Sequence, residues 1–167
     1  GLSLHNTKTY CTFAIHLKNL SLMSKTYNQI FVHFVLIVKD RHPLINPQWE
    51  SRLYRYITSV IDNRKNKTLI INGTKDHVHI LISMHNTESP SELMLCVKRD
   101  SSKFIKTNHL CSKFYWQEGY GAFSYTKSHV HNVYQYIQNQ KEHHKKVSSH
   151  DEMKSILIKL GFPCDNL

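Results

Sequence analysis

Apolar residues recur along this chain in two rhythms, every second position and every third or fourth, and the order of the rhythms sets out a fold. Gln29 to Lys39 (QIFVHFVLIVK) is rich in Val, Ile and Phe and predicts a central strand, ended by Asp40-Arg41-His42-Pro43. Asn46 before Pro47 predicts a helix start, with Asn as N-cap and Pro at the first helical position; Trp49, Leu53, Tyr56, Ile57 and Val60 then recur at helical spacing to about Asn63. A basic link, Arg64-Lys65-Asn66-Lys67, leads to a short strand over Thr68 to Asn72 and, after the turn Gly73-Thr74-Lys75-Asp76, to a strand over His77 to Ser83. Two apolar strands around four turn-forming residues that include Gly predict a hairpin.

Further along, Ser89-Pro90-Ser91-Glu92 is a capping box, and Leu93, Cys96, Val97, Ser101 and Phe104 share one face of the helix it opens. Phe114 to Ser124 (FYWQEGYGAFS) predicts a fourth strand, with Gly119 and Gly121 marking a bulge or a close approach of backbone. Ser128 or His129 through His144 predicts a third helix. A fourth follows, capped by Ser149 with Glu152, carrying Met153, Ile156, Leu157 and Leu160, and stopped by Gly161 and Pro163.

Strand, helix, strand, strand, helix, strand, helix, helix is the split βαβ order of an α+β fold. A ferredoxin-like or RNA-recognition-like sandwich is expected, an antiparallel sheet with helices on one face plus C-terminal helices. At 167 residues there is room for one domain with a sizeable core. Residues 1–22 lack clear periodicity and Met23-Ser24-Lys25 makes a natural start, so 1–22 are expected to be an N-terminal extension or added remnant and 23–167 the single domain.

Composition narrows the function. Hydrophobic residues at 40% and charged ones at 20% belong to a folded protein rather than a disordered one. Lys plus Arg number 22 against 12 Asp plus Glu, a net charge of +10, which favours a polyanionic partner, nucleic acid first. Cys11, Cys96, Cys111 and Cys164 form no C-x-x-C pair and no secreted-scaffold spacing, so a reducing, cytoplasmic setting is expected. The longest apolar run, Ile30 to Val38, is interrupted by His33 and too short to span a bilayer, so no membrane partner is expected.

The chemistry starts at His77-Val78-His79. In a strand both imidazoles point to one face, ~7 Å apart along the backbone, while Val78, Ile80 and Ile82 point to the other. Such a pair can grip a divalent metal, although a chain with 13 histidines also produces one by chance. On the third helix, Val130, Val133, Tyr134 and Ile137 share an apolar side and His129, Tyr136, Gln140 and His143 a polar flank. Tyr136 and Gln140 at i, i+4 are neighbours. If that flank faces the histidine strand, Gln140 can offer its amide oxygen as a third ligand and Tyr136 can reach a phosphate; otherwise they are an ordinary exposed Tyr and Gln.

The stretches DHVHILI (Asp76 to Ile82), FYWQEGYGAFSYTKS (Phe114 to Ser128) and VYQYIQNQKEHHKK (Val133 to Lys146), in that order, resemble the single-tyrosine HUH transposases of small insertion sequences and the related repeat-associated tyrosine transposases; HUH denotes His-hydrophobe-His. The resemblance runs from about Tyr27 to Gly161. It implies a metal-dependent DNA strand transferase in which His77 and His79 are metal ligands, Gln140 is the third ligand and Tyr136 is the nucleophile that forms a 5'-phosphotyrosine link on single-stranded DNA. It also implies DNA hairpins as partners and a homodimer whose active sites are shared between subunits.

Oxygen and imidazole ligands with water suit Mg²⁺ or Mn²⁺. Asp76 could orient His77, but an aspartate in a turn needs no such role and the plain turn reading is favoured; His143 and His144 are further candidates for ligand or phosphate contact. DNA contacts are expected from Arg41, Arg64, Lys65, Lys67, Lys98, Arg99, Lys103, Lys145 and Lys146. Tyr115, Trp116 and Tyr120 could stack on bases or belong to the core. Two rivals stand beside the transposase: a non-catalytic nucleic-acid-binding module, and a replication-initiator or relaxase nuclease, which usually brings domains this chain has no room for.

Overall fold

The computed structural model describes residues 27–145, 147–159 and 161, without the side chains of Ser149 and Lys159. The expected extension over residues 1–22, Lys146, Leu160 and Pro163 lie outside the described residues. Four strands, β1 (Phe31–Ile37), β2 (Lys67–Gly73), β3 (His77–Ser83) and β4 (Gly121–Tyr125), form one sheet in the order β2-β3-β1-β4. All pairings are antiparallel. Helices α1 (Glu50–Asn63) and α2 (Pro90–Thr107) are the two crossovers, and α3 (Lys127–Gln138), α4 (Gln140–His143) and α5 (Ser149–Lys159) follow. This is the expected ferredoxin-like α+β sandwich.

Alternation along the central strands sends alternate residues to different layers. Val32, Phe34 and Leu36 of β1 and Val78, Ile80 and Ile82 of β3 pack on Leu53, Ile57 and Ile61 of α1 and on Leu93, Met94, Val97 and Ile105 of α2. The other face carries His33, Val35 and Ile37 of β1 and His77, His79 and Leu81 of β3, and is covered by α3 to α5 through Val133, Ile137 and Met153. His77 to Ile82 are therefore buried throughout, because both sides of β3 are roofed.

Several boundaries differ from the sequence expectation. The chain begins to turn at Asn46, whose Oδ1 accepts from Gln48 N at 2.9 Å, but helical geometry starts only at Glu50. The fourth strand begins at Gly121, not Phe114: Gly119 takes φ +72°, a break in the strand, and Trp116 joins the sheet only through an isolated bridge to Val38. Trp116 is core, its Nε1 donating to Ser101 Oγ at 2.9 Å. The expected third helix is two, divided at Asn139, because Asn72 of β2 donates to the carbonyls of Ile137 and Gln138 at 2.9 and 3.0 Å and satisfies the oxygens released there.

Ser89 does cap α2, its Oγ accepting from Glu92 N at 3.2 Å. The last helix is capped one residue earlier than expected: Ser148 Oγ accepts from Asp151 N at 3.2 Å and donates to Asp151 Oδ2 at 2.6 Å. Asp151 therefore takes the position assigned to Glu152. One residue further on, about 100° around the helix, Glu152 turns towards the sheet and is buried.

Candidate active site

The hairpin between β2 and β3 aims His77. A β-carbon on Gly73 would meet the backbone of His77 and Val78, the latter at 2.9 Å from its Cα, so only Gly permits this close turn. Thr74 Oγ1 donates to Asp76 Oδ1 at 2.6 Å, and Asp76 Oδ1 in turn accepts from His77 Nδ1 at 2.8 Å. Asp76 is thus more than a turn residue: it orients the imidazole, the role ranked second on sequence grounds. A carboxylate only accepts, so the proton of a neutral His77 sits on Nδ1 and Nε2 faces the space under α3 to α5.

His79 lies on the same face of the strand two residues on, its ring 5.0 Å from that of His77 and nearly perpendicular to it. Its Nδ1 meets His33 Nε2 at 2.8 Å, and its own Nε2, fully buried, has no hydrogen-bond partner. His33 comes from β1, diagonal to His79 across the register that pairs Val35 with His79. Neither the motif nor any helical spacing points to it. The signal was a lone His in an apolar strand, on the side of β1 that alternation leaves for Val35 and Ile37.

From the other side α3 and α4 bring Tyr136 and Gln140. The Tyr136 ring lies 5.7 Å from the His79 ring, edge on, and Gln140 Oε1 lies 3.5 Å from His77 Nε2. Gln140 is fully buried, so it is no surface amide. The polar flank thus meets the histidine strand within one chain. His143 also belongs to it, with its ring 5.7 Å from that of Tyr136; exposed His129 bonds Thr126 instead.

At the centre of these groups stands Glu152, which the sequence alone places in a helix cap. Its Oε1 accepts from the Tyr136 hydroxyl and from Gln140 Nε2, the latter at 2.7 Å. Its Oε2 lies 2.7 Å from His144 Nε2, 3.4 Å from His77 Nε2 and 3.6 Å from His79 Nε2. His143 Nε2 is 3.8 Å from Oε1.

These contacts shift the proton affinities of His33, His77, His79, Tyr136 and Glu152. Burial opposes charge on His77, but the hydrogen bond to Asp76 and the nearby Glu152 carboxylate outweigh it and hold the imidazole up to about 9. Burial pushes His79 down to about 4 despite Glu152, with the His77 charge adding to the effect. His33 is likewise lowered, by burial first and by His79 second. Burial, then the bond to Glu152 and its charge, raises the Tyr136 phenol. Burial disfavours a charged Glu152, yet the His77 and His79 imidazoles beside it keep its carboxyl well below the usual range. The centre thus favours one positive charge beside an ionised Glu152, whether a proton or a metal ion bears it.

The donor set suits a divalent cation. His77, His144 and Glu152 present ligand atoms all within 4.8 Å of one another, and the orphaned Nε2 of His79 faces the same carboxylate. Of the residues expected to hold a metal, the structure gathers His77, His79 and Gln140 in one place and adds His144 and Glu152.

The basic candidates are not gathered there. Lys98, Arg99 and Lys103 ride on α2, across the sheet from Tyr136. Lys98 Nζ donates to the carbonyls of Gln117 and Gly119, and Arg99 pairs with Asp100. Arg64 forms a two-pronged pair with Glu88. Lys67 is opposite Ser83, at the far end of β3 and roughly 20 Å from His77 at strand spacing, with Lys65 beside it. Arg41 lies in the left-handed region, at φ 53°, in the 3-10 turn after β1. Only Lys145 follows the site helices closely, and it pairs with Glu142. Tyr115 is 54% exposed under the Lys106 ammonium and Tyr120 39%, so both remain open surface, unlike Trp116.

Among the described residues no helix is long and apolar enough to cross a membrane. No curated protein matches the chain. Two solved structures share its fold. One is a candidate transposase from Deinococcus radiodurans R1, with 16% identity and a TM-score of 0.53 over 69% of this chain and 93% of its own. The other is a REP-associated tyrosine transposase bound to a REP hairpin, with 16% identity and a TM-score of 0.56 over 74% of this chain and 73% of its own. The family described as "Transposase IS200 like" matches residues 26–140, which takes in His77, His79, Tyr136 and Gln140 and stops short of His144 and Glu152. That match spans most of the chain, and the chain belongs to the IS200-like transposases.

Proposed function

We propose that the protein cuts and rejoins single-stranded DNA at the ends of an insertion sequence through a covalent bond to Tyr136. His77, His79 and Gln140 would hold a divalent ion, Mg²⁺ or Mn²⁺. When bound, it supplies Lewis-acid stabilisation of charge on the scissile phosphate and on the departing oxygen. Tyr136 Oη attacks phosphorus, an O–P bond forms to the 5' side and the P–O3' bond breaks. The phenol proton leaves towards Glu152, and the departing 3'-oxygen takes a proton from water. The freed 3'-OH is then the nucleophile for rejoining.

One observation carries this reading: the Tyr136 hydroxyl and the two histidines of the pair converge on a single buried carboxylate beneath α3 to α5. A binding-only module has no need of such convergence. The hairpin held by the structural relative makes a DNA hairpin the substrate to try first.

The test is to incubate the protein with Mn²⁺ and single-stranded DNA carrying an end hairpin and its flank, and to look for a covalent adduct. Adduct from the wild type and none from Tyr136→Phe supports the reading. Undiminished adduct in Tyr136→Phe, or none from the wild type on a cognate end, defeats it. The reading includes a homodimer, in which exchange of α3 between copies would remake the same contacts in trans. Mixing Tyr136→Phe with His79→Ala chains measures this: recovered adduct means a shared site, and none means that each chain serves itself.

A further inference from the structure

The three ligands of the proposed site, two imidazoles and an amide, carry no negative charge. Mg²⁺ and Mn²⁺ are hard cations, and protein sites for Mg²⁺ usually bind it through at least one carboxylate. In this chain a carboxylate already stands among those ligands, delivered by α5 from beyond the region that matches the family.

The spacing of the groups is that of donors around one ion. Glu152 Oε2 is 3.4 Å from His77 Nε2 and 3.6 Å from His79 Nε2, and Gln140 Oε1 is 3.5 Å from His77 Nε2. Neighbouring donors on a cation with bonds of about 2.1 Å stand roughly 3.0–3.4 Å apart, so these three separations lie within a few tenths of an ångström of that spacing. For direct hydrogen bonds these separations are too long.

The proton of a neutral His77 is also turned outward. Asp76 takes the Nδ1 proton of His77, at 2.8 Å, so the Nε2 of the neutral ring presents its lone pair to the centre, while His144 Nε2 donates to Glu152 Oε2 at 2.7 Å from the rim. Gln140 Nε2 donates to Glu152 Oε1 at 2.7 Å, which fixes the amide so that its oxygen is the atom facing His77. His79 Nε2 is buried with no partner. Bare nitrogens, an amide oxygen and a carboxylate oxygen converge, and only a cation satisfies all of them together.

We propose that Glu152 is the anionic ligand of the divalent ion, its Oε2 completing a four-donor set with His77 Nε2, His79 Nε2 and Gln140 Oε1. Its other oxygen holds the Tyr136 hydroxyl, so one side chain ties the nucleophile to the metal. This rests on the proposed function for the metal itself. A carboxylate that merely plugged the centre would have the opposite effect, competing with the ion for the histidines.

The two are separated by titrating the full chain with Mn²⁺ alone, without DNA, by calorimetry and by the electron paramagnetic resonance of free Mn²⁺. Wild type, Glu152→Gln, Glu152→Ala and His79→Ala are compared, with circular dichroism melts to confirm folding. Glu152→Gln keeps the shape and an acceptor oxygen, so it carries the comparison if the Ala variant fails to fold. Expected is a loss of Mn²⁺ affinity of about 10- to 100-fold or more in the Glu152 variants, the scale seen when a metal site loses a supporting group, and a similar loss in His79→Ala. Equal or tighter Mn²⁺ binding by Glu152→Gln, with binding lost in His79→Ala, overturns the ligand role and leaves the proposed function standing. No Mn²⁺ binding by the wild type overturns both.

Discussion

The two faces of the sheet are built from the same strands and do opposite things. On the α1–α2 side, Val32, Phe34, Leu36, Val78, Ile80 and Ile82 pack into one apolar cluster with the inner faces of the two helices. One residue away in each strand, on the α3–α5 side, His33, His77 and His79 are just as buried but face Tyr136, Gln140 and Glu152. One layer gains its free energy from removing apolar surface from water. The other confines polar groups whose desolvation is offset only by their bonds to one another. Stability and chemistry are thus assigned to different sides of a sheet whose pleat keeps them one residue apart.

The largest effects should break this division in opposite ways. Tyr136→Phe is expected to abolish covalent adduct to single-stranded DNA while changing the unfolding free energy by no more than about 1–2 kcal/mol, the scale of one buried hydrogen bond. Phe34→Ala, across the sheet, is expected to cost about 3–5 kcal/mol in urea unfolding, while whatever fraction stays folded still forms adduct. If Phe34→Ala removed adduct from fully folded protein, or Tyr136→Phe unfolded it, the division of labour would be wrong.

The apolar layer was the more legible of the two in the sequence. Alternation in QIFVHFVLIVK and HVHILI, with helical spacing in Leu53-Ile57 and Leu93-Val97, needs only neighbours along the chain to be read. Where local signals misled, a distant partner decided. Phe114 to Gly119 has strand-forming residues, yet Trp116 leaves for a hydrogen bond to Ser101, and the strand waits until Gly121. The helix through His144 breaks because Asn72 of β2 takes its last carbonyls.

The site was half legible for the same reason. His77 with His79, and Tyr136 with Gln140, are local pairs visible through a period. His33 joins them only through the β1–β3 register, and Glu152 only because Ser148 rather than Ser149 caps α5. A shift of one residue in a cap converts an apparent helix-start glutamate into the group at the centre of the cluster.

A smaller effect tests whether the polar layer depends on its outer shell. Asp76→Asn keeps the size of the side chain but removes the charge that fixes the His77 proton on Nδ1. Loss of such a partner typically weakens metal binding by about 10- to 100-fold. The expected outcome is a fall of that size in Mn²⁺ affinity by calorimetry, with little change in melting temperature. Unchanged affinity would return Asp76 to the status of a turn residue.

The smallest effect contrasts a part-exposed ion pair at the edge of the helical layer with the buried cluster. Arg64, which follows α1, grips Glu88, which precedes α2, at 2.7 and 2.8 Å, and its hydrogen bond holds the Glu88 carboxyl below its usual value. A carboxyl lowered in the folded state contributes stability that is present above the unfolded value and lost as pH falls through the folded one. Arg64 is 36% exposed, so solvent screening limits the pair to about 1 kcal/mol or less. Urea unfolding of wild type and Glu88→Gln should therefore differ by that amount at pH 7 and converge only as the pH falls through the lowered Glu88 value, below the ordinary carboxylate range. Adduct formation at pH 7 should be the same in both, since Arg64 and Glu88 make no bond to the histidine face. A difference that persists at acid pH would mean that the pair acts by packing, and altered adduct would mean that the helical layer reaches the chemistry after all.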